Sequence, residues 1–254
     1  MNGDWDLGAG LRGRSVVVTG AAGGIGRAVT AGFAAAGALV TAADLDADRL
    51  EASLAELPEV RLVPGDLTRP ETRAAVLDTA DQAGPLYALV HCSAVLRRRS
   101  LITDVTEDDW DVQHTVNLKT TFFLCRDVAE RMRAAHTPGR IVTFTSQSWW
   151  TGGFGGSIAY AASKGGIVSM TRGLARTYGP DGITVNAVSP GQARTEMLLT
   201  DLDPDVLESM TAQTPLGRIA ESEEIASAAI FLASQHASFI TGSTLNVSGG
   251  FLMY

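Results

Sequence analysis

The chain has 254 residues, 45% apolar and 19% charged, a soluble globular balance with room for one large α/β domain or two small ones. Its net charge of −8 argues against nucleic acid or an anionic membrane surface as the main partner. No apolar run approaches the ~20 residues that cross a bilayer, and the two cysteines, Cys92 and Cys125, lack metal-ligand spacing and suit a reducing compartment. No metal is expected, and a cytoplasmic location follows by default.

Residues 1–12 carry acids and glycines without an apolar run and are expected to form a loose tail. Ser15 to Thr19 is a β-branched run that reads as a buried strand. The glycine-rich turn after it, with Gly20, Gly24, Ile25 and Gly26, opens a helix continuing to Ala36. Such a turn lets backbone amides approach a pyrophosphate, although tight strand–helix packing would also use it. A second strand, Leu39 to Ala43, ends at Asp44. An acid there can accept hydrogen bonds from ribose hydroxyls and would repel a 2′-phosphate, and the adjacent Leu45 supplies no cation. This favours NAD over NADP. Asp44 could instead cap the helix that starts near Ala47, but Asp46 is better placed for that.

The alternation continues with a helix over 48–56, a strand over 60–64, a loop at Gly65 to Thr68, a helix over 70–83 and an apolar strand over 86–91. Repeats of this length imply parallel βαβ units. No linker or low-complexity tract divides them, so 1–254 is read as a single domain. Arg97, Arg98 and Arg99 follow the fourth strand, as a solvated face or a group that greets an anionic substrate. Thr106 with the acids behind it looks like a capped helix start. The helix beyond carries Asn117, a misfit in propensity that needs a polar partner or a role.

A fifth strand from Gly139 delivers Ser146 at its carboxyl end, the edge where open α/β sheets bind ligands. A glycine-rich loop then leads to a helix over 160–178 bearing Tyr160 and Lys164 one turn apart, on one face. A phenol of ordinary pKa near ~10 is a poor base, and a neighbouring cation favours its phenolate. A serine hydroxyl to hold the substrate oxygen completes a proton-transfer site. A sixth strand, 183–188, runs into a turn from Ser189 to Thr195, and a helical excursion over about 192–216 reads as a lid. A helix over 221–233, a last strand over 243–247 and an apolar tail, Phe251 to Tyr254, end the chain. The expected fold is one Rossmann-type doubly wound α/β domain, with about seven parallel strands and helices on both faces.

Together these motifs resemble the short-chain dehydrogenase/reductase family over nearly the whole chain, from about Gly13 to Gly250. Thr19 to Gly26 resembles its T-G-x-x-x-G-I-G cofactor turn, and Asp66-Leu67 the position that meets adenine. Asn117, Ser146, Tyr160 and Lys164 match its catalytic tetrad. Pro190, Gly191, Ala193 and Thr195 match the turn that grips the nicotinamide carboxamide. Two departures stand out. The usual N-N-A-G is His91-Cys92-Ser93-Ala94, in which Ser93 and Ala94 would pass the adenosine ribose and the Ser93 hydroxyl would stand in for an amide. The usual V-D-G-G is Val247-Ser248-Gly249-Gly250.

The resemblance implies hydride transfer between a secondary alcohol, or its ketone, and nicotinamide. Tyr160 would be the acid/base and Lys164 would lower its pKa and hold the ribose. Ser146 would hold the substrate oxygen, and Asn117 would position a relay water. Ser148, Trp149, Trp150, Gln192, Met197 and the 96–100 loop are the expected substrate pocket, although the tryptophans could equally pack under the lid. The expected substrate is of moderate size, with cyclic and polyhydroxylated alcohols as candidates. Alternatives are NADPH-dependent reduction of 3-oxoacyl thioesters and a non-catalytic NAD-binding scaffold. Family assembly implies a homotetramer or homodimer through the helices around 122–133 and 160–178 and the last strand.

Overall fold

A computed structural model of the chain describes residues 6–153, 155–200 and 203–254. Its seven strands form one parallel sheet in the order β3-β2-β1-β4-β5-β6-β7. The strands are β1 (Ser15–Thr19), β2 (Leu39–Asp44), β3 (Arg61–Pro64), β4 (Leu86–His91), β5 (Arg140–Phe144), β6 (Thr184–Pro190) and β7 (Thr244–Val247). The connecting helices are α1 (Gly24–Ala35), α2 (Ala47–Leu54), α3 (Pro70–Asp81), α4 (Glu107–His114) and α5 (Thr120–Ala134). They continue as α6 (Ser148–Thr151), α7 (Ile158–Tyr178), α8 (Glu196–Leu199), α9 (Pro204–Ala212) and α10 (Ser222–Ala233).

The strand pattern explains the two helical layers. Val16 and Val18 of β1 are fully buried on the face covered by α1, α2 and α10, with Phe33, Leu50 and Ile225. Val17 points the other way, into a layer with Leu77, Leu124, Val128 and Tyr178 from α3, α5 and α7. A strand covered on both sides must be apolar throughout, which is why β1 and β4 are continuous runs. Each buried valine contributes about 1.5–3 kcal/mol relative to exposure. Chain order reverses between β1 and β4, and the crevice opens there, at the carboxyl ends of the strands.

The helix starts follow their caps. Asp46 accepts a hydrogen bond from the amide of Arg49 (3.0 Å) at the head of α2. Thr106 and Asp109 cap each other's amides at the head of α4 (both 3.1 Å). The amino-terminal stretch differs from expectation. Residues 1–5 lie outside the described residues, but 6–12 are docked rather than loose. Leu11 is fully buried in the α1/α10 layer, and the Ala9 carbonyl accepts from the amide of Gln235 (2.9 Å). One leucine, too short a signal for a periodic pattern, provides the anchor. Among the described residues, no helix is long and apolar enough to cross a membrane.

Candidate functional site

A cavity of about 1040 Å³ occupies the crevice, and most of the predicted site residues line it. The cofactor end is built by the backbone. Gly20 has φ +66, and a Cβ there would sit 2.7 Å from the Ser93 amide nitrogen, so the exits of β1 and β4 pass backbone to backbone. A Cβ on Gly26 would overlap the Gly20 carbonyl oxygen, so only glycine lets α1 start this close to the turn. Among the described residues no side chain caps the first turn of α1, and Gly24, Ile25 and Gly26 line the cavity. An uncapped helix start on a glycine cradle fits an anionic group such as a pyrophosphate.

Beside it, the Asp44 carboxylate accepts hydrogen bonds from the amides of Ala22 (2.9 Å) and Leu45 (2.7 Å). These hold it at the cavity wall, with acceptor capacity left for hydroxyl groups. Asp66 accepts from the Thr68 amide (2.9 Å), and Asp66, Leu67, Ser93 and Ala94 line the cavity. Arg49, absent from the sequence expectations, also lines it and pairs with Glu196 of α8.

The departure at 91–94 has its own chemistry. His91 Nδ1 and the Thr19 hydroxyl are hydrogen-bonded at 2.6 Å, bridging β4 to β1 inside the core. Burial, helped by the Lys164 charge, pushes the His91 pKa down to about 3, so the ring is neutral. Burial also pushes the Cys92 thiol up. The Ser93 backbone, packed against Gly20, shapes the turn, and Thr19 with His91 forms the polar bridge between β1 and β4.

Ser146 lies just past β5, and α7 carries Tyr160 and the buried Lys164. All three line the cavity. The Lys164 ammonium donates to the Phe144 carbonyl (2.8 Å) and sits 5.6 Å from the centre of the Tyr160 ring. Burial pushes Lys164 down to about 8, against a smaller opposing effect of Cys92. Tyr160 differs from expectation: burial pushes its pKa up to about 12, and the group that lowers it is the Ser146 hydroxyl rather than Lys164. The physical reason is that the ammonium is turned toward a main-chain carbonyl while the phenol is desolvated.

Asn117 stands behind the cavity, not in its wall. Residues Thr115–Lys119 form a π-helical segment between α4 and α5. From it the Asn117 amide group clamps the backbone of Val95, accepting from its N–H (2.8 Å) and donating to its carbonyl (2.9 Å). It also donates to the Ser163 hydroxyl (3.2 Å), which ties the β4 exit to α7. The propensity misfit therefore has a polar partner, and the side chain's donors are engaged by protein rather than turned to Lys164.

The substrate end departs furthest from the sequence reading. Gln192 and Met197 line the cavity, but Ser148, Trp149 and Trp150 do not. The two indoles pack on the carboxyl-terminal residue: the Trp149 and Trp150 rings lie 5.2 Å and 5.5 Å from that of Tyr254. The short α6 turns them toward the tail, and that contact joins segments about a hundred residues apart that no local pattern relates. The expected 96–100 loop lines it too, and in place of the tryptophans stand Gln147, Thr200 and Met210. Adjacency to Ser146 could have pointed to Gln147; nothing local marks Met210. Gln192 is 4% exposed with both amide atoms unpartnered, and the buried Gln147 Oε1 also has no partner. Pro190, Gly191, Ala193 and Thr195 line the same wall.

Residues 20–252 match a family model described as enoyl-(acyl carrier protein) reductase. The chain is 35% identical over 246 residues to the (2S)-[(R)-hydroxy(phenyl)methyl]succinyl-CoA dehydrogenase subunit BbsD of Thauera aromatica, covering 95% of this chain and 97% of that one. It is 36% identical over 245 residues to the L-xylulose reductase of Mesocricetus auratus, covering 96% and 98%. The crystal structure of gox2181 superposes with a TM-score of 0.91 at 32% identity, over 96% of this chain and 97% of that one. With the parallel sheet, the glycine turn and the Ser146, Tyr160 and Lys164 constellation, these likenesses lead to one conclusion: the chain belongs to the short-chain dehydrogenase/reductase family.

Proposed function

We propose that this chain is an NAD-dependent oxidoreductase that interconverts a secondary alcohol and its ketone. The observation that carries the proposal is the convergence of Ser146, Tyr160 and Lys164 on the cavity that also contains the uncapped start of α1. Bound dinucleotide supplies the hydride acceptor or donor. Gly20, Gly24, Ile25 and Gly26 would hold its pyrophosphate, Asp44 its adenosine ribose, Asp66 and Leu67 its adenine, and Pro190 to Thr195 its nicotinamide end. Lys164, fixed through one donor to Phe144, has two donors left for ribose hydroxyls. Tyr160 takes the alcohol proton in oxidation and returns it in reduction. Ser146 holds the substrate oxygen and draws the phenol toward ionisation.

Asp44 supports NAD, because a 2′-phosphate would meet a carboxylate held by two amides while the nearby Arg49 is engaged by Glu196. The unpartnered Gln192 amide and Gln147 Oε1 support a polar, hydroxyl-bearing substrate, since unsatisfied buried polar groups cost about 1–3 kcal/mol each. Residues 192–216 would act as a lid: α8 borders the cavity and is tied across its mouth at Glu196 to Arg49 and just beyond its end to Arg98, which donates to the Thr200 carbonyl (3.2 Å). A groove lined by Leu118, Phe122, Phe123 and Met170 between the α4–α5 segment and α7 supports assembly into a homodimer or homotetramer. We place the protein in the cytoplasm.

The test is initial-rate NADH formation at alkaline pH across secondary alcohols, polyols and sugar acids, with NADP in parallel. Turnover with NAD alone is expected. The second reading, NADPH-dependent reduction of a 3-oxoacyl thioester, is favoured by the similarity to a CoA-ester dehydrogenase. Faster turnover with NADP would replace the first reading by the second.

A further inference from the structure

We propose that Arg97, with Arg98 beside it, binds an anionic group of the substrate, a carboxylate or a phosphate, while the reacting carbinol sits at Ser146 and Tyr160. This rests on the hydride-transfer reading above and deepens it. Charges around the cavity are unevenly divided. Asp44, Asp66, Arg49 and Glu196 belong to the adenosine end, whereas the 95–100 segment contributes Arg97, Arg98 and Arg99 and no carboxylate. In a chain of net charge −8, that local reversal is where an anion would be drawn.

The three arginines are not equivalent. Arg99 is neutralised by Asp109 through two hydrogen bonds of 2.8 Å. Arg98 donates to the Thr200 carbonyl, a neutral acceptor that leaves its charge intact. Arg97 uses its backbone amide, which donates to Gln113 Oε1 (3.1 Å), and its guanidinium has no partner among the described residues. The backbone carrying it is nevertheless fixed. Val95 is clamped by Asn117, Arg97 by the fully buried Gln113 and Arg99 by Asp109. Alternate residues are thus pinned to α4 and the π-helical segment. The 99 position also packs on Gly156, just ahead of the helix bearing Tyr160, since a Cβ on Gly156 would lie 2.5 Å from the Arg99 carbonyl oxygen. A free guanidinium on a fixed loop at the substrate end is suited to bidentate recognition of a carboxylate or phosphate.

The experiment compares 3-hydroxybutanoate, its neutral methyl ester and 3-hydroxybutanoyl-CoA as substrates of the unmodified protein, Arg97→Gln and Arg98→Gln. Arg97→Gln is expected to lower kcat/KM for an anionic substrate by about 10- to 100-fold and leave the methyl ester unchanged. A fall with the free acid assigns the carboxylate; a fall with the CoA ester alone assigns the phosphates. An equal change with all three substrates, or no change with any, overturns the proposal. Turnover of the methyl ester reads the hydride-transfer assignment by itself. If no substrate turns over, calorimetric titration of the NADH-loaded protein with acetoacetate and with coenzyme A decides. Binding that weakens in Arg97→Gln sustains the anion site, and absence of binding to the unmodified protein removes it.

Discussion

The two ends of the cavity are built on different principles. At the cofactor end the backbone does the work: Gly20 and Gly26 admit close approach, the first turn of α1 is left uncapped, and Asp44 is held by two amides. At the substrate end the wall is made of side chains from distant segments, Gln147, Arg97, Gln192, Met197 and Met210, several of them without protein partners. A backbone-built site tolerates little change in residue type and serves a constant ligand. A side-chain-built site can be re-cut by substitution, which suits a fold that carries many substrates.

The sharpest test of this division lies at the junction of the two ends. Tyr160→Phe removes the proposed proton acceptor but leaves the proposed cofactor cradle, so kcat should fall by about 10²- to 10⁴-fold while NADH binding, followed by fluorescence, is retained. The unmodified enzyme should oxidise alcohols faster as pH rises, because the Tyr160 pKa lies near 12 and its ionised form is the base. Ser146→Ala, which removes the group that lowers that value, should move the rising limb to still higher pH.

Next in size is Gly26→Ala. Its methyl would overlap the Gly20 carbonyl, and a loss of about 1–3 kcal/mol in urea denaturation is expected, together with weaker NAD binding. Normal stability with normal NAD affinity would show that the backbone description of the cofactor end is wrong.

His91 offers a pH-dependent test of the same end. Its pKa is depressed to about 3 in the folded state against about 6.5 unfolded, so the unfolded chain takes up the proton first as pH falls. The stability it contributes is complete above pH 6.5 and is lost between there and pH 3, at up to about 1.4 kcal/mol per pH unit. Unfolding free energy should drop between pH 7 and pH 5, and His91→Asn should flatten that drop. An unchanged slope would leave the Thr19–His91 bridge without this role.

The smallest effect concerns the tail. Tyr254→Ala removes the ring that stacks on Trp150 and meets Trp149 edge to face, and should cost about 0.5–1.5 kcal/mol of stability. If the indoles act only through packing, the KM for NAD is unchanged and the KM for the alcohol rises as α6 and Gln147 loosen. A large loss of NAD affinity would break the division between the two ends.

How much of this was legible beforehand follows the same division. The strand at Ser15–Thr19, the glycine turn, Asp44, the Thr106 cap and the Tyr160/Lys164 turn are encoded within a few residues of themselves, and each stands where the local pattern places it. Asn117 was visible as a misfit, but its partner, the backbone of Val95, was not. The sequence leaves Trp149 and Trp150 between the substrate pocket and packing under the lid, and they meet Tyr254; Leu11, in a stretch expected to be loose, is buried.

Sequence by itself determined the order of strands and helices, the glycine-built cradle and the acid–base pair, because periodicity, propensity and steric limits act over short stretches of chain. Tertiary structure alone decided that Asn117 would clamp a loop, that the Tyr160 phenol would sit above its ordinary pKa, and that Arg97 would face the cavity unpaired. Those outcomes depend on desolvation and on contacts between segments far apart in the chain, and neither quantity exists until the sheet and its two helical layers have closed around them.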